Sequence, residues 1–167
     1  MTGREGKLTV DGDRAVLTFE RRLPYPVEAV WSAITDPAAR AQWFGETTID
    51  AREGGSIEMV ATGPPLPPER KRMTGRILVW DPPNVLEHEW KQPIVEDGVV
   101  RYELIPDGAG TLLRFTHRGI GVRSASGFLG GTHAFLDRLE AHLAGDELPD
   151  WETRRREVTG SAHLEFN

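Results

Sequence analysis

From Ile49 to His117 the chain is written in a two-residue period, the spacing of half-buried strands. Six strand-like runs follow one another, and each ends on a turn signal. Ile57, Met59 and Ala61 share one side of the run 56–61. Residues 73–80 come next, closed by Asp81-Pro82-Pro83. Leu86, His88 and Trp90 oppose Val85, Glu87 and Glu89, and Val100, Tyr102 and Leu104 oppose Arg101 and Glu103. Beyond the hairpin punctuation Asp107-Gly108-Ala109-Gly110, Thr111, Leu113, Phe115 and His117 oppose Leu112, Arg114 and Thr116. Strands joined by short turns, polar on one face, make an antiparallel meander that must be covered on the other.

The cover is a helix at 128–144, where Phe128, Thr132, Phe135, Leu136, Leu139 and Leu143 recur at helical spacing and Gly145 offers a C-terminal cap. A first strand at 14–23 precedes the meander and stops at Pro24-Tyr25-Pro26, because proline lacks the N–H that a ladder needs. Val27, Val30, Trp31 and Ile34 then form one apolar helical stripe. Pro37 disfavours helical geometry at Asp36, so a second short helix begins there and delivers Trp43 and Phe44. A broken helix bends around the edge of a groove, with Trp31, Trp43 and Phe44 as wedges. The predicted fold class is α+β, a curved antiparallel sheet around a long C-terminal helix, with two short helices after the first strand. Residues 1–13 are expected to be flexible, 14–147 to form the domain, and 148–167 to be a tail that is partly helical at 150–158. Trp80, just ahead of Asp81-Pro82-Pro83, is expected to face outward.

Bulk properties narrow the function. The 167 residues suit one domain, and a net charge of −6 argues against a nucleic-acid or anionic-membrane partner. With no cysteine, thiolate chemistry and disulfides are excluded. No run approaches the roughly 20 apolar residues of a membrane span, and residues 1–10 lack the apolar core of a signal peptide, so a cytoplasmic protein is expected.

Read in order, RRLPYPVEAVWSAITDP (21–37), WFG (43–45), DAREGG (50–55), GRILVWDPPNVLEHEW (75–90), GTLLRFTH (110–117) and FLDRLEAHLAG (135–145) resemble the START-like (SRPBCC) superfamily. Within it they are most similar to the branch related to the activator of heat-shock-protein-90 ATPase. The resemblance covers roughly residues 15–151 and implies the helix-grip fold. That fold hosts lipid binders, aromatase/cyclases and co-chaperone modules alike. Many relatives it resembles carry a Gly-Trp pair early in the last helix, where this chain has Gly131-Thr132. Threonine there should enlarge the cavity or make one end more polar.

His88 and His117 stand on the apolar side of their strands. In an apolar cavity an imidazole serves as polar anchor or general acid/base for a bound molecule; otherwise the two are core histidines satisfied by neighbours. The expected ligand-binding set is Trp31, Trp43, Phe44, Ile57, Met59, His88, Trp90, Tyr102, Phe115, His117, Thr132, Phe135 and Leu136. His88, His117, His133, His142 and His163 show no metal-ligand spacing, and no phosphate loop, dinucleotide fingerprint or nucleophile elbow occurs, so neither metal nor cofactor is expected. The loop TGPPLPPERKR (62–72) holds four of the 12 prolines and a basic cluster; it is a stiff lid, a surface for an acidic partner, or a solvated connection. Arg154-Arg155-Arg156 is expected to be a solvated helix face rather than a nucleic-acid patch, given the acidic total. The leading expectation is a monomer or homodimer that binds an apolar or aromatic small molecule. A protein-interaction module acting on a chaperone ATPase is the second, and a cyclase, hydrolase or dehydratase the third.

Overall fold

The computed structural model describes residues 2–158 and 163–166. A 3-10 turn (Thr2–Glu5) leads into β1 (Lys7–Asp11) and β2 (Arg14–Leu23), followed by α1 (Val27–Thr35) and α2 (Pro37–Trp43). The meander comprises β3 (Gly45–Ile49), β4 (Ser56–Ala61), β5 (Met73–Asp81), β6 (Val85–Trp90), β7 (Gly98–Asp107) and β8 (Gly110–Gly121), with a single helical turn, α3 (Pro68–Lys71), between β4 and β5. The long helix α4 (Val122–Ala144), α5 (Trp151–Val158) and β9 (His163–Phe166) complete the chain. One sheet contains all the strands in the order β3-β4-β5-β6-β7-β8-β2-β1-β9. No described helix is long and apolar enough to cross a membrane.

The helix break behaves as its sequence demands. Asp36 is extended (φ −76°, ψ 120°), ends α1, and starts α2 by accepting a hydrogen bond from the Ala38 N–H at 3.3 Å. Pro37 then occupies the first turn of α2, where its missing N–H is harmless. The inner face of the sheet buries Leu17, Phe19, Ile77, Leu86, Val100 and Leu113. Register shifts between Ala15 and Leu17 and between Ile77 and Val79 put bulges in β2 and β5, which help bend the sheet.

Four expectations are corrected. Residues 7–11, expected to be flexible, form β1: Leu8 and Val10 alternate into the core, and Gly12 (φ 64°) turns the chain back into β2. The tail is helical at Trp151–Val158 as expected, but it also adds β9, parallel to β1, which no sequence pattern announced. Helix α4 starts at Val122 rather than 128, because the small and polar residues of its first turns hide the apolar period. Trp80 does not face outward alone; it is half-buried, and its ring meets that of Trp31 edge-on, 5.1 Å between centroids.

Charge holds α4 in place. Arg21 on β2 is buried and donates to Asp137 at 2.8 Å, to the Glu140 carboxylate, and to the Arg4 carbonyl at 2.8 Å. Arg154 on α5 donates to the second oxygen of Asp137 at 2.6 Å. Burial alone would raise the Asp137 pKa, but the bonds from Arg154 and Arg21 outweigh it and hold the carboxyl below its usual range. Farther along the same helix, Arg138 donates to the carbonyls of Trp43 (2.9 Å), Gln42 (3.2 Å) and Pro149 (2.5 Å), tying α4 to the end of α2 and to the chain entering α5. A planar guanidinium reaches three carbonyls at once; an ammonium is a poorer match. Arg21→Met leaves two partly buried carboxylates facing an apolar side chain, so the unfolding free energy should fall by about 3 kcal/mol in urea denaturation.

Candidate functional site

Helix α4 rests chiefly on β1, β2 and β8, so the β4–β7 half of the concave face is left open. A cavity of about 700 Å³ occupies that side and extends to β8, a volume suited to one small molecule. Its floor is Met59, Met73, Trp90, Tyr102, Phe115 and His117, inward residues of five successive strands. Its roof is the face of α4 that carries Ser124, Gly127, Phe128, Gly131, Thr132, Phe135 and Leu136, spaced three or four apart, with Trp43 and Phe44 from the end of α2.

Ten residues of the expected set therefore meet: Trp43, Phe44, Met59, Trp90, Tyr102, Phe115, His117, Thr132, Phe135 and Leu136. Three do not reach the lining. Trp31 is on the far side of the helix break against Trp80. Ile57 is 1% exposed in the core, paired across the sheet with Ile49 and Gly75. His88 shares the face of Trp90 but lies beneath it, the rings stacked at 6.3 Å and 24°.

The two histidines thus differ in role. His88 is fully buried, and its Nδ1 lies 2.9 Å from the Glu89 carbonyl oxygen, so Nδ1–H donates and Nε2 is left with an unpaired lone pair. Burial pushes its pKa down to about 4, with Arg40 adding to the shift and Glu89 and Glu87 opposing it. His117 lines the cavity between Trp90 (5.2 Å) and Phe128 (4.8 Å), and burial, then the nearby His88, push its pKa down to about 3. Both rings are neutral at pH 7, and His117 has no hydrogen-bond partner among the described residues. His133, the third buried histidine, belongs to the ion network instead, 3.5 Å from Asp137. The side chain of His163 lies outside the described residues. Among those described, no three His, Asp or Glu side chains converge on a possible metal position.

A third wall joins the proline-rich segment to α5. Gly63, Pro64, Pro65 and Lys71 of the proline-rich segment face Trp151, Glu152, Arg155 and Arg156 of α5. The two pieces meet through Trp151. Its indole N–H donates to the Gly131 carbonyl at 3.1 Å, and a Cβ at Gly63 would sit 2.1 Å from the ring. The indole also packs on Phe135, 5.5 Å between centroids. Thr132 lies in the roof, and an indole from α5 reaches the adjacent Gly131. The proline-rich segment was one candidate for a lid in the sequence; for α5 the signal was a lone tryptophan in a charged tail, with nothing in it to name its partner.

Residues 24–144 match the profile of the family described as Activator of Hsp90 ATPase homolog 1-like protein. The fold superposes on that of CalU16 from Micromonospora echinospora with a TM-score of 0.72 and 26% identity, covering 93% of this chain and 92% of that one. A Bordetella parapertussis protein, BPP1335, is similar at a TM-score of 0.71 and 26% identity over 91% of this chain and 85% of that chain. EF2215 from Enterococcus faecalis, described as a conserved protein of unknown function, shares the fold at a TM-score of 0.71 with 17% identity, covering 92% and 87%. The comparison with curated proteins returned no match. The profile match takes in both short helices, the meander and all of α4, and stops before α5. On that match, the chain belongs to the family of Activator of Hsp90 ATPase homolog 1-like proteins, with the START-like helix-grip fold.

Proposed function

We propose that the protein binds an apolar or aromatic small molecule in the cavity between the sheet and α4. The observation that carries this is a 700 Å³ space lined by aromatic and aliphatic side chains, with a neutral buried imidazole, His117, in its wall. Tyr102 and Thr132 add two hydroxyls to the same lining. An apolar site with a few polar groups takes its affinity from burial and its orientation from hydrogen bonds. A neutral imidazole can donate from one ring nitrogen and accept at the other, so a hydroxyl or carbonyl on an aromatic ligand suits His117.

The test is titration with N-phenyl-1-naphthylamine, a neutral apolar probe whose fluorescence rises out of water. One molecule should bind per chain, and Thr132→Trp, which projects an indole into the roof, should weaken binding at least about tenfold, equivalent to ~1.4 kcal/mol. A native protein that takes up no probe would remove the proposal.

The neutral histidines also set an acid dependence. Their folded pKa values, about 4 and about 3, lie below the unfolded value near 6.5, so the unfolded chain binds more protons between those limits. Their contribution is complete above the unfolded pKa and is lost as pH falls toward the folded values. Between pH 7 and pH 5 each ring should remove about 2 kcal/mol of stability, read as a falling urea midpoint. His117→Phe should flatten that slope by about half.

A further inference from the structure

Lys71 ends the single helical turn α3 inside the proline-rich segment, and its side chain faces the cavity although it is only 8% exposed. An ammonium carries three N–H donors. One of them meets the Pro64 carbonyl oxygen at 2.8 Å. No carboxylate pairs with it among the described residues, and burial lowers its pKa. A buried cation without a counter-charge is unfavourable, so the arrangement calls for an anion from outside.

The surroundings repeat that demand. The charged side chains lining the cavity are Lys71, Arg155, Arg156 and Glu152, a cationic excess in a chain whose net charge is −6. Glu152 is already engaged by Arg155 at 2.5 Å and Arg156 at 3.5 Å. Behind the wall formed by Trp43, Phe44 and Met59 lies a second buried cation. Arg40 is 0% exposed, donates to the Ile34 carbonyl at 3.0 Å and to the Met59 sulfur at 2.8 Å, and lies over the Trp43 and Phe44 rings. It too meets no carboxylate among the described residues, so a second buried positive charge lies on the β4 side of the cavity. On the β8 side the polar lining group, His117, is neutral.

We propose that Lys71 is an anion-binding position and that the cavity takes an apolar or aromatic monocarboxylate, its carboxylate on the Lys71 ammonium and its body against Met59, Met73, Tyr102 and Phe135. This rests on the small-molecule reading of the cavity and adds the charge of the ligand to it. From β5, which Lys71 precedes, to β8 is three strand spacings, about 14 Å, so an acid of that length would bring its far end to His117. A charge-assisted hydrogen bond in a desolvated wall is worth more than a neutral one, which separates the acid from an alcohol of the same shape.

The experiment is isothermal titration calorimetry at pH 7 and low salt with two matched pairs, 2-naphthoate against 2-naphthalenemethanol and decanoate against 1-decanol. In at least one pair the acid should bind about tenfold more tightly, and the pair with the larger ratio identifies an aromatic or an aliphatic body. Lys71→Gln, whose amide can still donate to Pro64, should bring the acid-to-alcohol ratio close to one, while Lys71→Arg keeps it. Equal affinity for acid and alcohol in the native protein overturns the anion site but leaves the small-molecule reading standing. If neither member of either pair binds, that reading falls and the anion site with it. A preference that survives Lys71→Gln overturns the assignment to Lys71.

Discussion

A helix laid across one half of a curved sheet needs more than apolar contact to stay there, and in this protein charge supplies it. Arg21 reaches up from β2 to Asp137 and Glu140, while Arg138 reaches across to the end of α2. Both anchors lie in the C-terminal half of α4, so the N-terminal half, with Ser124, Gly127 and Phe128, can stand over the sheet as a roof. Apolar residues on a second face of the helix, Ala125 and Leu129 among them, pack down into the core beside the cavity.

The second constraint is a wedge. Trp151 enters from α5, outside the segment that defines the family, and closes the side of the cavity that sheet and α4 leave open. Two glycines permit it: Gly131 presents its carbonyl to the indole N–H, and Gly63 has no side chain to obstruct the ring. The proline-rich segment is held against the same indole, so it acts as a wall of the site rather than a loose surface connection. This arrangement makes the chemistry of the cavity depend on two segments remote in sequence, 63–71 and 151–156.

The polar groups inside divide in the same way. On the strands, the imidazoles of His88 and His117 are neutral because burial disfavours their charged forms more than any neighbour favours them. On the loop and α5 side, Lys71, Arg155 and Arg156 carry charge. A site with a neutral floor and a cationic wall can orient a molecule end to end, which a uniformly apolar cavity cannot do.

Much of this architecture was legible in the sequence. Strand period, helix period and proline-set boundaries are local signals, and the Asp36-Pro37 break, the meander and the C-terminal helix all appeared from them. Ten of the lining positions were legible for the same reason, since alternation assigns a face to each residue. Sharing a face did not mean sharing a cavity: His88 and Trp90 alternate together, yet stacking places the indole in front and the imidazole behind. Whether α4 would sit high or low on the sheet, that α5 would meet the proline-rich segment in a third wall, and where Lys71 would find or lack a partner were decided only by the tertiary structure. Those outcomes depend on contacts between residues far apart in the chain, such as Arg21 with Asp137, Gly63 with Trp151 and Arg138 with Trp43. Periodicity records the direction in which a side chain leaves the backbone; it carries no information about what waits on the other side.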